Sequence, residues 1–307
     1  MSLAPVVLFV YNRPDHTEKT LNALNGCTLA SESEMFVFCD NYKKEKDIEN
    51  VMKVQECVED FSVDSEFKKV HVIKAEKNKG LAKSIIEGVS DIINKYGKVI
   101  VLEDDLEVSK DFLEYMNGAL DYYENKESIW AISGYTFPMK ALESYPHDVY
   151  LCGRGCSWGW ATWKKEWDSV DWDVSDYDAF KFNLKKRSEF AKWGKDLPTM
   201  LDAYMYGEIH SWAIRWCYSG FKQGKYTIYP KNSKIKNHGT DGSGTNFNNV
   251  ETRYDTELCE GKYSFVFDEL DIDKKIQKEF ASKYMTWMES LKSKLRWFLI
   301  KVNLRKL

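Results

Sequence analysis

The chain has 307 residues, 43% of them hydrophobic and 30% charged, with only six prolines. That is the make-up of an ordered globular protein with one large or two modest domains, and it excludes disorder over most of the length. Lys and Arg number 44 against 48 Asp and Glu, a formal charge of −4, too balanced for a protein that coats nucleic acid through its overall field.

The opening MSLAPVVLFV lacks the basic region and cleavage site of a secretory signal, and the seven cysteines are odd in number and scattered. Reduced thiols and a cytoplasmic location are therefore expected. No run of 18 apolar residues is present, so no span of a bilayer is predicted.

Four strands are predicted in the first third: Pro5 to Val10, Met35 to Cys39, Val70 to Ile73 and Val99 to Leu102. They alternate with helical patterns, as βαβ units do when they close a largely parallel sheet. After the first strand, Asp15 and Glu18 have the spacing of a capping box, and Leu21 and Leu24 share a helix face. After the third, Asn78-Lys79-Gly80 makes a turn, and Leu81, Ile85, Ile86, Val89, Ile92 and Ile93 repeat at helical spacing. Glu103-Asp104-Asp105 follow the fourth directly. Right-handed crossovers would gather Tyr11-Asn12-Arg13, Asp40, Lys79-Gly80 and these three acids at the edge where open α/β sheets bind ligands.

The second half is less regular. A strand is predicted at Ile129 to Ser133, then a Trp-rich stretch from Gly153 to Trp172, helices from about Tyr177 to Gly220, and a strand at Tyr226 to Tyr229. A Gly- and Asn-rich loop at Asn237 to Asn249, with Gly239, Gly242 and Gly244, has the composition of a lid. Eight of the 11 Trp lie between Trp158 and Trp216; Trp163 and Trp167, four apart, read as helix-face packing. Cys152 and Cys156 have the residue types for a structural zinc site with Cys259 and His238, against the commoner reading of separate thiols. No internal repeat or linker is visible, so residues 1–282 read as one compact unit with halves at 1–135 and 136–282.

From Phe280 onward, Tyr284, Met288, Leu291, Leu295, Phe298 and Val302 mark one face of an amphipathic helix. Residues 283–307 carry seven basic side chains and one acid, a local +6 that leaves −10 for residues 1–282. Such a helix would lie on an anionic membrane surface, or pack on the domain or a second subunit.

Three consecutive acids after an apolar strand repel one another unless a positive charge neutralises them, and a divalent cation does so economically. Carboxylates suit Mg²⁺ or Mn²⁺, which complete their shells with water and substrate phosphates. The simpler alternative is that Glu103 or Asp104 caps the following helix and the others are solvated.

The segments VIVLEDDL (99–106), YNRP (11–14) and NKGLAKS (78–84) together resemble the nucleotide-sugar-binding half of GT-A glycosyltransferases. The branch most similar is that of N-acetylglucosaminyltransferase I and related bacterial sugar transferases. The resemblance is good over residues 5–135 and looser beyond. It implies an α/β fold with a Rossmann-like, open, mostly parallel sheet flanked by helices, followed by a less regular acceptor-binding half. Tyr11, Asn12 and Arg13 would then contact the nucleotide base and ribose, with Asp40 beside the base and Gly80 and Lys83 flanking the phosphates. Glu103 and Asp104 would reach the ribose and donor sugar, Asp105 would bind Mn²⁺ or Mg²⁺, and His238 would be a second ligand to the metal or the diphosphate.

The general base of an inverting transferase would fall near Gly207 to Trp216, where Glu208 is the first choice and Asp202 and His210 are alternatives. The commoner pattern puts Asp immediately before the aromatic residue; here Ser211 stands there. Trp158 and Trp160, among small residues, would meet the acceptor.

The implied activity is metal-dependent transfer of a sugar from a nucleotide sugar, with UDP-sugars the expected donor class, to a glycan or lipid-linked hydroxyl, with a role in cell-surface polysaccharide synthesis at the inner face of the membrane. Two other readings compete. A sugar-phosphate nucleotidyltransferase should carry a glycine-rich loop after the first strand, and YNRPDH has no glycine. A carbohydrate-binding protein without catalysis would explain the aromatics but leave the acids without a purpose.

Overall fold

In the computed structural model the described residues are 2–239, 255–258 and 264–284. Ten strands are described: β1 Val6–Val10, β2 Glu34–Cys39, β3 Lys69–Lys74, β4 Lys98–Glu103, β5 Leu106–Val108, β6 Ile129–Ser133, β7 Val149–Cys152, β8 Trp160–Trp163, β9 Tyr226–Pro230 and β10 Ile235–Asn237. The helices in the first half are α1 Pro14–Asn25, α2 Ile48–Asp64, α3 Leu81–Tyr96 and α4 Phe112–Tyr123. In the second half they are α5 Lys140–Glu143, α6 Lys164–Asp168, α7 Tyr177–Phe180, α8 Leu184–Phe190, α9 Leu197–Met205, α10 Trp212–Lys222 and α11 Lys274–Ser282.

Eight strands form one sheet in the order β3-β2-β1-β4-β8-β6-β9-β7, and β5 pairs with β10 in a separate antiparallel ribbon. The first four strands are mutually parallel, as the βαβ pattern predicts, and β6 and β9 are parallel to each other. Strand β8 is antiparallel to both β4 and β6, and β7 to β9. The fold is thus α/β with an open, mixed, mostly parallel sheet flanked by helices. Strands β7 and β8 lie within stretches that carry no predicted strand.

Both faces of the sheet are covered, which is why its central strands read as unbroken apolar runs. Val6, Leu8 and Val10 of β1 face a core shared with α1 and α4, whereas Val7 and Phe9 face Ile85 and Val89 of α3. Beneath α3 and α10 this second core is an indole cluster: the Trp160 ring lies 5.1 Å from Trp212, 5.3 Å from Trp216 and 5.6 Å from Trp167. Trp160 is 1% exposed, so it is a core residue and does not offer a face to a sugar. Trp163 belongs to β8 and faces the opposite core, with its Nε1 donating to the Leu120 carbonyl at 3.2 Å; only Trp167 packs from a helix.

At the start of α1 the cap position is Arg13, followed by Pro14 in the first turn, and no side chain caps the helix. Asp15 lies inside that turn, so the expected capping box does not form. Pro14 makes one unnecessary, because its missing N–H removes an orphan donor.

Helix α11 docks into the second half. Phe280 is fully buried, with ring centroids 5.3 Å from Tyr229 and 5.5 Å from Phe137. Tyr284 stacks 3.5 Å from the Arg154 guanidinium, which Asp196 holds by two bonds of 2.8 Å. Of these two aromatics, which the sequence marks as the start of one amphipathic face, Phe280 is a core residue and Tyr284 is half-buried against it. The rest of the expected C-terminal helix and the lid loop beyond Gly239 lie outside the described residues. No helix among the described residues is long and apolar enough to cross a membrane.

Candidate active site

Strands β1, β2, β3 and β4 all end at one edge of the sheet, and the residues that follow them converge there. The three acids after β4 are held by the residues after β1. The Arg13 guanidinium pairs with Asp104 and reaches the Asp105 Oδ2 at 3.0 Å. The Tyr11 backbone N–H also donates to Asp104, at 3.4 Å, and the Thr20 hydroxyl donates to the Asp104 carbonyl at 2.9 Å. Burial alone would lower the Arg13 pKa, but the charges of Asp104 and Asp105 outweigh it and the guanidinium stays charged. One cation facing three carboxylates leaves a surplus of negative charge. Glu103 responds by holding its proton: burial first, then Asp105 and Asp104, push its carboxyl up to about 8.

Asp104 is 3% exposed and bonded on both oxygens, so it organises the edge from beneath; the expected contact with a donor sugar has no surface to use. Asp105 is the more open of the pair, its side chain 14% exposed against 4%.

The ribbon of β5 and β10 brings a histidine to this point. Asn237 pairs with Leu106 and the His238 N–H donates to the Asp105 carbonyl at 2.8 Å, so His238 stands opposite Asp105. Directly opposed positions share a face. The His238 imidazole contacts Glu107 Oε2 at 2.6 Å, one step along the same face. Gly239 follows, and a Cβ there would fall 2.1 Å from Asp105 Oδ2; only glycine lets the carboxylate lie against the backbone. One carboxylate and one imidazole on a common face suit Mn²⁺, and the surplus negative charge of the edge suits any divalent ion. Among the described residues no three His, Cys, Asp or Glu side chains form a metal-holding cluster, so water and substrate oxygens would have to complete a shell. The same holds for the proposed zinc site: Cys152 and Cys156 are free thiols, and Cys259 lies outside the described residues.

Asp40, at the end of β2, ties down the loop before α3. Its carboxylate accepts from the N–H groups of Lys79 at 2.8 Å and Gly80 at 2.9 Å and from the Asn78 amide at 3.1 Å. Gly80, with φ +75°, makes the left-handed turn into the helix that this arrangement needs. Beside it, a cavity of about 330 Å³ opens between the ends of β2 and β3 and helix α3, lined by Phe38, Asp40, Ile73, Lys79 and Ser84 among others. Tyr11 and Asn12 are held by Asp47, through the Tyr11 hydroxyl at 3.1 Å and the Asn12 amide at 3.3 Å. Lys83 is mostly exposed and sits 3.6 Å from Glu87, on the outer face of α3.

Two features of the second half reach the same edge. Because β8 runs antiparallel to β4 with Trp160 opposite Val101, the chain just before it returns Trp158 towards Glu103. Trp158 is half-buried and packs edge-on against Tyr135 at 4.7 Å. Helix α10 precedes β9, which is parallel to β6, so its N-terminus also points to this edge. Ser211 caps it by accepting from the Ile214 N–H at 3.3 Å. Glu208 and His210 are exposed in the segment just before that cap. Asp202 is different: it is 2% exposed and takes bonds of 2.8 and 2.7 Å from Arg187 and 3.0 Å from the Tyr177 hydroxyl. Those bonds withdraw it from proton transfer at the edge.

Sequence reasoning passed over Asp47 and Glu107. Neither has a motif around it, although Glu107, two residues after Asp105 with one apolar residue between, carried the alternation of a short strand.

A sequence profile of the GNT-I family matches residues 3–189. Over 125 residues the chain is 28% identical to the alpha-1,3-mannosyl-glycoprotein 2-beta-N-acetylglucosaminyltransferase of Arabidopsis thaliana. That match takes in 38% of this chain and 26% of the relative, so it spans about a quarter of the relative's length. Among solved structures, S. aureus TarS aligns over 75% of this chain and 36% of its own, with TM-score 0.39 and 11% identity. A cytidylyltransferase from Leptospira borgpetersenii aligns over 56% of this chain and 64% of its own, with TM-score 0.34 and 11% identity.

Proposed function

The chain belongs to the GNT-I family of glycosyltransferases, and from that premise we propose that it transfers a sugar from a UDP-sugar to a hydroxyl of a glycan or lipid-linked acceptor, with inversion and with the help of Mn²⁺ or Mg²⁺. The observation that carries the reading is the edge where β1 and β4 end: Arg13 pairs there with Asp104 and Asp105, and the backbone of His238 bonds to that of Asp105.

The donor's nucleoside would lie over the Asp40-held loop and its cavity, with Tyr11 and Asn12 as one wall. Arg13 sits where it can move from Asp105 to a phosphate oxygen, exchanging one charge-assisted bond for another. Asp105 and His238 would hold the cation, which would neutralise charge developing on the departing diphosphate. Glu103, half-buried at the end of β4, would accept a hydrogen bond from a sugar hydroxyl in its ionised form.

Trp158 offers the acceptor an apolar face on the same edge, a common way to bind a sugar ring. Glu208 is the proposed base, since it is exposed before the cap of α10, and His210 is the alternative. N-acetylglucosamine is the first donor sugar to test, because the Arabidopsis relative is named for its transfer.

The test is a thermal-shift panel of nucleoside diphosphates and their sugars, with and without Mn²⁺. Stabilisation by UDP or a UDP-sugar that depends on Mn²⁺ is expected; its absence for every nucleotide would overturn the proposal. Glu208→Gln should abolish transfer while leaving that shift intact, and full transfer by this variant would move the base to His210.

A further inference from the structure

On the second half, far in sequence from the acids, α8 begins in an unusual way. Asn183 caps it, accepting from the Lys186 N–H at 3.0 Å. In the common arrangement the residue before such a cap packs against the fourth helical residue as a hydrophobic staple. Here the two positions are Phe182 and Arg187, and Arg187 is turned inward to Asp202. Phe182 is left outside, 44% exposed, and Leu184, just past the cap, is 64% exposed. The cap thus holds two large apolar side chains in water.

Lysines flank them: the Lys181 ammonium lies 5.4 Å from the Phe182 ring, and four more follow in the next turns of chain. Lys185 and Lys186 occupy the first turn of α8, where acidic residues are the stabilising choice, and both are exposed. Lys192 follows two turns after Leu184 and Lys195 just beyond; both are exposed as well. None of these four has an ion-pair partner among the described residues. Acids on neighbouring elements are already engaged: Asp178 by Lys181 at 2.6 Å, Asp196 by Arg154 at 2.8 Å and Asp202 by Arg187 at 2.7 Å. Over residues 181–195 there are six basic side chains and one acid, Glu189, in a chain whose total is −4. The most exposed large apolar side chain among the described residues, Val63 at 81%, stands instead between Asp60 and Asp64.

We propose that this exposed segment, Phe182 and Leu184 with the unpaired Lys185, Lys186, Lys192 and Lys195 that follow them, docks on an anionic lipid bilayer. The chemistry matches on both counts. Apolar side chains enter the headgroup boundary, and lysines at its level meet the negative surface potential. A protein partner would more often be met by a larger, flatter apolar patch. The segment lies about a hundred residues before the basic stretch 285–307 in the sequence, and the proposal does not depend on the donor chemistry.

The test is flotation of the full chain with phosphatidylcholine vesicles, plain or with phosphatidylglycerol as about a third of the lipid. Wild type should bind the anionic vesicles only and lose them at high salt. The double variants Lys185→Glu/Lys186→Glu and Phe182→Ser/Leu184→Ser should each partition about tenfold more weakly, with unchanged thermal midpoints. Wild-type binding by both variants would assign any membrane contact to residues 285–307 and overturn the proposal, as would no binding by the wild type. Sedimentation velocity supplies a further check: a dimer lost in Phe182→Ser/Leu184→Ser, without lipid binding, would give the segment to a second copy and equally overturn it.

Discussion

Arg13 is the residue on which the edge turns, because it is the one described cation in contact with Asp104. Arg13→Ala should leave a carboxylate that is 3% exposed without its partner, lowering stability by about 3 kcal/mol in urea unfolding. Adding Asp104→Asn should recover part of that loss; strict additivity would show that the two do not interact. Asp105→Ala should behave differently, with a small effect on stability but loss of the Mn²⁺-dependent shift and a fall in turnover of at least about a hundredfold. Among the tryptophans, Trp160→Ala should cost about 3–5 kcal/mol by emptying the indole cluster, whereas Trp158→Ala should raise the acceptor KM with a smaller loss of stability. Cys27 is buried and its thiol is pushed up to about 12 by that burial, so iodoacetamide at pH 8 should leave it unmodified in the native protein. Of these residues, Asp105 stood out in the sequence because like charges in a row demand an answer; Arg13, which the resemblance assigned to the nucleotide base and ribose, instead pairs with the acids. Trp160 was misread because composition counts indoles without saying which face of a strand carries them.

At the scale of elements, the parallel strands were legible and the antiparallel ones were not. Strands β1, β2 and β4 are largely buried and β3 half-buried, and all four alternate with long helices, so period and length agree. Strands β7 and β8 have four residues each and β5 and β10 three, too few for a period to emerge. The ribbon that places His238 opposite Asp105 was therefore hidden, although both residues had been singled out. For helix α11 the sequence left more than one cover open, a membrane surface, the domain itself or a second subunit. Its apolar spacing was read correctly, but amphipathicity does not name the surface that will cover it, and here the cover is Phe137, Trp193 and Tyr229. Phe280→Ala should lower the unfolding free energy by about 3–5 kcal/mol, a cost that a detachable tail would not incur.

Over the whole molecule, the two halves inferred from the sequence share one sheet, joined where β8 inserts between β4 and β6. Loss of Trp fluorescence and of far-UV circular dichroism should therefore coincide on heating, because the indole cluster and the parallel strands have no boundary between them; separated midpoints would mean that the halves unfold as independent units. The insertion of β8 also sets a distance. Neighbouring strands stand about 4.8 Å apart, so the acids after β4 and the chain leaving β6 are two hydrogen-bonded steps, roughly 10 Å, from each other. The sheet acts as a ruler laid along that edge. Its graduations are fixed by backbone hydrogen bonds that no side-chain change can stretch, so variants along the edge can alter which groups project there but not the spacing of the strands that carry them.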